Sequence, residues 1–433
     1  MNNILKLLLI FVFFSNCSFN KNSKFWTNER IIKEEQDNSE EIFKSEEILK
    51  SEFNTNLKIS LYSKAIKKSF INNHDNNNGR VNYSGNLNNK SKFKFSKIEN
   101  LFRYNPEISI DQNNIIFFDK KGSILKFNED SKLIWKKNYY SKVEKKQNPI
   151  LSFANNKRIL IIADNIAKYY ALDIETGKLL WSKKNIAPFN SQIKIYKNYF
   201  FVTDYNNTLS AYSIKDGTKS WSIKTDTSLV RSQKKLSIVV INKKVIFNNS
   251  IGDISSIDIE TGELIWQIPT QSSIIYDDSF FLKTSDIIGD NKNLYFSNNK
   301  GVFFSIDIDN GILNWKQNIN SYLRPTLIDN YIFTVSNEGF LFIIEKTSGN
   351  IIRVTDVFKN IKLKKRDKIK PTGFIVGKND IYVTTDNGRL LVIDITTGQP
   401  NLMIKVDRDK ILRPSVLNES LFIITENSIV KIN

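Results

Sequence analysis

The sequence is poor in the residues that do chemistry: one cysteine (Cys17), one histidine (His74) and two methionines among 433 residues. A lone cysteine forms no internal disulfide. Without a second cysteine or a second histidine there is no convincing zinc ligand set and no Ser–His–Asp arrangement for nucleophilic catalysis. No P-loop and no Rossmann glycine pattern occurs. "HDNNNGR" (74–80) hints at a calcium loop and fails: with Gly79 at the glycine position, His74 stands where the first ligand belongs and Gly85 where the closing glutamate belongs. The expectation is therefore no catalytic residues, no metal and no cofactor. No apolar run reaches the ~20 residues that a membrane-spanning helix needs. The net charge of +18 comes from lysines spread along the whole chain, so it reads as a solvated basic surface rather than a nucleic-acid face.

At the N-terminus, "MNNILK" is a polar start, "LLLIFVFF" (Leu7 to Phe14) is a short apolar core, and "SNC" (Ser15 to Cys17) ends it. That is signal-peptide architecture. With the only cysteine at the cleavage point, it resembles a bacterial lipoprotein signal, which implies acylation of Cys17. Ser18 is not the aspartate associated with inner-membrane retention, so the expected destination is the periplasmic face of the outer membrane, held by a lipid anchor. The expected organisation is a signal peptide over 1–16, the acylated Cys17 plus a polar, partly disordered tether over 17–92, and one folded domain over 93–433. Within the tether, Asn28 to Phe53 is rich in Glu with interspersed apolar residues and reads as an amphipathic helix or a plain linker. Asn72 to Lys90 is dominated by Asn and Gly and reads as loop or disorder.

From Phe93 the texture changes, and one phrase recurs. It reads "LKFNEDSKLIW" to Trp135, "ALDIETGKLLW" to Trp181, "AYSIKDGTKSW" to Trp221, "SIDIETGELIW" to Trp266, "SIDIDNGILNW" to Trp315, "IIEKTSGNIIR" to Arg353 and "VIDITTGQPNL" to Leu402. Copies about forty residues apart indicate a propeller or solenoid array. The alternating start is a half-buried strand. The Asp/Glu-Thr-Gly step closes a tight turn, the carboxylate bonding local backbone and Gly supplying positive φ. The following strand ends in Trp, so Trp135, Trp181, Trp221, Trp266 and Trp315 read as packing between units rather than as a ligand cage. A further strand precedes each phrase ("ILIIAD", "YFFVTD", "IYVTTD"), and Pro106, Pro149, Pro188, Pro325, Pro371 and Pro414 each lead into another short β-like run.

Four strands per unit, radially repeated, make an all-β fold: an eight-bladed β-propeller with four-stranded blades, with seven blades as the alternative count. Residues 413–433 supply only three strands of the eighth unit. "KFKFSKI" (Lys92 to Ile98) alternates suitably to supply the fourth, so the last blade is expected to be closed by strands from both termini, which removes an open edge. Two insertions break the rhythm, Thr270 to Asp290 and the strongly basic "KNIKLKKRDKIK" (359–370); long loops on a rigid scaffold are where binding usually resides.

"LDIETGKLLW" resembles the repeat of the pyrroloquinoline-quinone (PQQ) dehydrogenases and their non-enzymatic relatives. The dehydrogenases normally carry adjacent cysteines, which this chain lacks. The order of lipoprotein signal, tether and eight-bladed propeller resembles the BamB family of outer-membrane assembly factors. That resemblance implies a non-enzymatic scaffold that docks on the periplasmic domains of BamA and helps fold outer-membrane proteins, unfolded clients among its partners. It also implies contact residues. "TSLVRSQ" (227–233) resembles the family's contact loop and offers Leu229, Val230 and Arg231; "KTSDIIGD" (283–290) offers Asp286. The alternatives are a PQQ-dependent dehydrogenase and an envelope scaffold with another protein partner.

Overall fold

The computed structural model describes residues 50–69, 74–85, 87–88, 90–99, 101–227, 234–270, 284–298 and 301–433. Eight four-stranded antiparallel sheets follow one another along the chain, and the first strands of successive blades adjoin around a common axis. Blades 1 to 7 span 109–137, 151–184, 194–224, 238–268, 288–317, 326–356 and 371–405. This is the eight-bladed propeller that the repeat implies.

Blade 4 shows why these residues fold this way. Its strands are Ile238–Ile241, Lys244–Asn248, Ile254–Asp258 and Leu264–Ile268. The middle strands are buried on both faces, between two neighbouring blades: one carries a Val-Ile-Phe run, and the other places Ser255 and Ser256, both fully buried, between Ile254 and Ile257. The turn into the last strand is closed by Asp258, whose Oδ1 accepts from the N–H groups of Glu260 and Thr261 at 2.9 and 2.8 Å. In the last pair Ser256 faces Trp266 but Ile257 faces Leu264, a β-bulge that recurs at the equivalent place in blades 1 to 7. A bulge sets two residues against one and re-aims a side chain. Leu264 and Ile265 are thereby left near half-exposed while Trp266 is buried.

The turn and the tryptophan are partners across blades. Trp221 lies against Gly262 of the next blade, where a Cβ would come within 2.6 Å of the indole; Trp135, Trp181, Trp266 and Trp315 meet Gly177, Gly217, Gly311 and Gly349 in the same way. The indole N–H of Trp181, Trp221, Trp266 and Trp315 donates to the carbonyl of Ile214, Ile259, Ile308 and Lys346 in the adjacent turn. Trp135 departs from this pattern. Its Nε1 is buried without a partner among the described residues, because the buried Lys126 ammonium takes the Ile174 carbonyl and pairs with Asp111 at 2.8 Å. In blade 6 the tryptophan place is held by Arg353, fully buried, which donates to the carbonyls of Ile395, Thr396 and Leu57.

Blade 8 joins the first strand of the propeller to its last three. Ser415–Leu417, Ser420–Ile424 and Ser428–Ile432 pair in sequence, and Lys90–Lys94 adds the outer strand, in register from Lys90 opposite Ile432 to Lys94 opposite Ser428. The closing strand begins two residues before the expected Lys92. Beyond it, Phe95 and Ile98 donate singly to the carbonyls of Asn427 and Glu426. Of the prolines, Pro371 opens a strand, Pro325 and Pro414 directly precede one, and Pro188 stands well upstream of Lys194.

Between second and third strands of blades 1 to 7 a buried side-chain acceptor closes the turn. In blade 2 this is Asp164, whose Oδ1 accepts from Ile166 and Lys168 while Oδ2 accepts from the Tyr140 hydroxyl. Blade 4 uses Asn249 at the same place. Burial pushes the Asp164 carboxyl up to about 6 from 3.8. A raised folded-state value gives stability that is complete below pH ~4 and lost as pH rises through 6. At ~1.4 kcal/mol per unit that is about 2–3 kcal/mol. Asp164→Asn keeps the turn acceptor and removes the titration. Its stability gain over the parent, from denaturant unfolding, is expected to grow from near zero at pH 4 to about 2–3 kcal/mol at pH 7. A gain independent of pH would refute the assignment.

Candidate functional site

All eight first strands run the same way along the axis, so the propeller has two unlike axial ends. At one end, where those strands finish, residues of the 17–92 region cross the axis. Val240 donates to the His74 carbonyl, Gly289 to the Asp75 carbonyl and Leu327 to Asn77 Oδ1, while Val81 donates to the Val376 carbonyl and Ser69 to the Val416 carbonyl. One strap thus touches blades 4 to 8. Asn76, buried on the axis, donates to Gln192 and to the carbonyls of Ile238 and Ile287, and accepts from the Lys194 ammonium. The Asn-rich stretch that reads as loop or disorder is, over 74–85, a hydrogen-bonded closure: side-chain amides supply partners to strand-end backbone that would otherwise be buried unpaired. His74 remains exposed, with Nε2 2.7 Å from the Ile195 carbonyl.

At the other end, where the first strands begin, charges from several blades converge. Arg324 Nε donates to Asp286 Oδ2 at 2.7 Å, and its Nη2 reaches Glu107. Lys234 stands 3.8 Å from Asp286 and Lys235 3.8 Å from Glu107. Burial alone would raise both carboxyls, but Arg324 and the lysines outweigh it and hold both below their ordinary values. Burial and then Arg324 push the Lys194 ammonium down to about 7, against the pull of Glu107, Asp75 and Asp286. Glu107, Lys234, Lys235, Asp286, Arg324 and Arg413 line a cavity of about 110 Å³ that the strap bounds through Ser69 and Asn78. Among the described residues, no group of three or more His, Cys, Asp or Glu side chains is placed to hold a metal.

The residues expected from the sequence fall differently. Asp286 lies in this axial cluster and is bound to Arg324 rather than projecting from a free loop edge. Leu229, Val230 and Arg231 lie outside the described residues, in the chain between the last strand of blade 3 and the first strand of blade 4; Cys17 also lies outside them. In the basic insertion, Arg366 pairs with Asp356 at 2.5 Å and Lys359 with Glu52 at 3.2 Å, which ties the loop down at two points. Sequence reading missed Glu107, Lys194, Arg324 and Arg413. A signal was present: "LRP" occurs at 323–325 and again at 412–414, placing an arginine just before the first strand of blades 6 and 8.

The chain matches the family model described as outer membrane protein assembly factor BamB over residues 120–355. No curated protein matches it in sequence. Among solved structures it is similar to BamB from Moraxella catarrhalis, with a TM-score of 0.62 and 14% identity over 79% of this chain and 100% of that one. It is similar also to the quinohemoprotein alcohol dehydrogenase from Comamonas testosteroni (TM-score 0.60, 9% identity, 82% of this chain and 78% of that one). A computationally designed protein, Ika8, shares the architecture too (TM-score 0.59, 13% identity, 78% of this chain and 99% of that one). At these identities the structural likenesses speak to fold alone.

Proposed function

We propose, on the premise that this chain belongs to the family of the outer membrane protein assembly factor BamB, that it is a non-enzymatic scaffold of the outer-membrane β-barrel assembly machinery. Acyl chains on Cys17 hold it at the periplasmic face of the outer membrane, more than one chain being needed for a firm anchor. The propeller docks on the periplasmic domains of BamA and aids insertion of outer-membrane proteins. The observation that carries this reading is the family match, which spans most of blades 1 to 6. The likeness to a quinohemoprotein dehydrogenase, at 9% identity, brings no redox chemistry with it.

The segment 228–233 offers the contact. Arg231 pairs with a carboxylate of BamA, flanked by the apolar anchors Leu229 and Val230, the composition of an interface hot spot. Asp286 enters the same interface only if the partner displaces or shares Arg324, since the two are already bound. The chain isolated from native membranes should bring BamA with it, and Arg231→Glu should reduce the recovered BamA about tenfold or more with the propeller still folded. Unchanged recovery would remove Arg231 from the interface. Absence of BamA from the parent complex, or saturable binding of PQQ with calcium, would overturn the scaffold reading itself.

A further inference from the structure

The axial cavity is unbalanced in charge. Its carboxylates, Glu107 and Asp286, are both committed to Arg324, with Lys234 and Lys235 at longer range. Arg413 lines the same cavity, and among the described residues no carboxylate lies within ion-pair distance of it. Its Nε donates to the Phe374 carbonyl at 2.9 Å, which leaves the outer edge of the guanidinium for something else. Its position is enforced: it packs beneath Gly373, where a Cβ would fall within 2.4 Å of the Arg413 Cβ. Burial, and then the like charge of Arg324, push the Arg413 guanidinium down to about 9. A part-buried cation held in place and crowded by another cation is costly unless an anion joins it. Asn78 also lines the cavity, nine-tenths buried, with an Oδ1 that has no hydrogen-bond donor among the described residues.

The geometry points to a binding site for a phosphate-type oxyanion in the axial cavity, with Arg413 as its principal partner, Lys235 and Arg324 as further cations, and Asn78 accepting from the anion's own O–H. Three features select that class. A planar guanidinium edge matches two oxygens of a tetrahedral or carboxylate anion. At neutral pH a phosphate keeps an O–H, and this supplies the donor that Asn78 lacks; a simple carboxylate does not. A cavity of about 110 Å³ has room for one small oxyanion. The site concerns this chain alone and stands whether or not BamA is the partner.

The test is calorimetric titration of the full-length protein with inorganic phosphate at pH 7, ionic strength held constant with sodium chloride, and with acetate in a parallel arm. Saturable 1:1 binding of phosphate is expected, at least about tenfold tighter than acetate, and Arg413→Gln is expected to weaken it by about tenfold or more. No saturable phosphate binding, acetate bound as tightly as phosphate, or unchanged affinity in Arg413→Gln would each overturn the proposal. If Arg413→Gln fails to fold by circular dichroism, Lys235→Gln decides: a clear loss of phosphate affinity supports the site, and parental affinity refutes it.

Discussion

Arg353→Ala is expected to cost about 3–5 kcal/mol of stability, while Arg353→Trp stays within about 1.5 kcal/mol of the parent. The two outcomes follow from the place that Arg353 occupies. It stands where five other blades have tryptophan, at full burial, and covers the turn of blade 7. Alanine opens a cavity between blades and strips donors from three carbonyls, the buried one of Ile395 and those of Thr396 and Leu57. Tryptophan refills the volume, and its indole N–H reaches the Ile395 carbonyl as Trp266 reaches that of Ile308. It forfeits the bond to Leu57 but also removes a cation whose charge burial disfavours; burial holds that guanidinium near 10. Urea unfolding of the two variants beside the parent measures this. An alanine variant as stable as the parent would show that Arg353 is not the wedge between blades 6 and 7.

Phe93→Ala should be about as damaging, at about 3–5 kcal/mol, whereas Lys92→Ala on the same strand should stay within about 0.5 kcal/mol. Phe93 is fully buried and meets Phe127 of blade 1 and Phe422 of blade 8 edge-on, with ring centroids 5.6 and 5.8 Å away. One side chain on the closing strand thus ties the last blade to the first. Lys92 is exposed. Equal effects of the two substitutions, in thermal or urea unfolding, would mean that the strand lies on the surface without sealing the ring.

Much of this architecture is legible in the residues because its causes are local. A turn that needs glycine and a carboxylate, followed by a strand that in five copies ends in tryptophan, leaves the same marks each time it is built, and seven copies with the incomplete unit at 413–433 make the blade count of eight. The closing strand is legible within two residues because alternation marks its face, while its end depends on pairing with a strand more than three hundred positions away. The strap is not legible as structure. Asn76 and Asn77 look like loop residues, and only the distant strand ends they serve make them buried parts of the fold. Arg353 is placed by the repeat, but its exchange for tryptophan rests on carbonyl geometry that no spacing reveals. The charged centre is the hardest to see. Glu107, Asp286 and Arg324 come from blades 1, 5 and 6, and only ring closure brings them together. The repeated "LRP" marks two of its arginines without showing what they face. Of the interface residues that the family resemblance suggests, Asp286 is found in that centre, and Leu229, Val230 and Arg231 fall beyond the described residues.

The propeller works as a rigid platform only as a ring closed by pairing its first strand with its last. The most direct measurement is a cysteine pair at Ser91 and Lys431, directly opposed across the closing strands, oxidised mildly and mapped by peptide mass spectrometry in the otherwise unchanged chain. A disulfide within one monomer, joining the peptides that contain positions 91 and 431, is the predicted result. Links formed only between separate chains, or no link under conditions that oxidise an exposed pair, would mean that the ends do not meet and the ring is open.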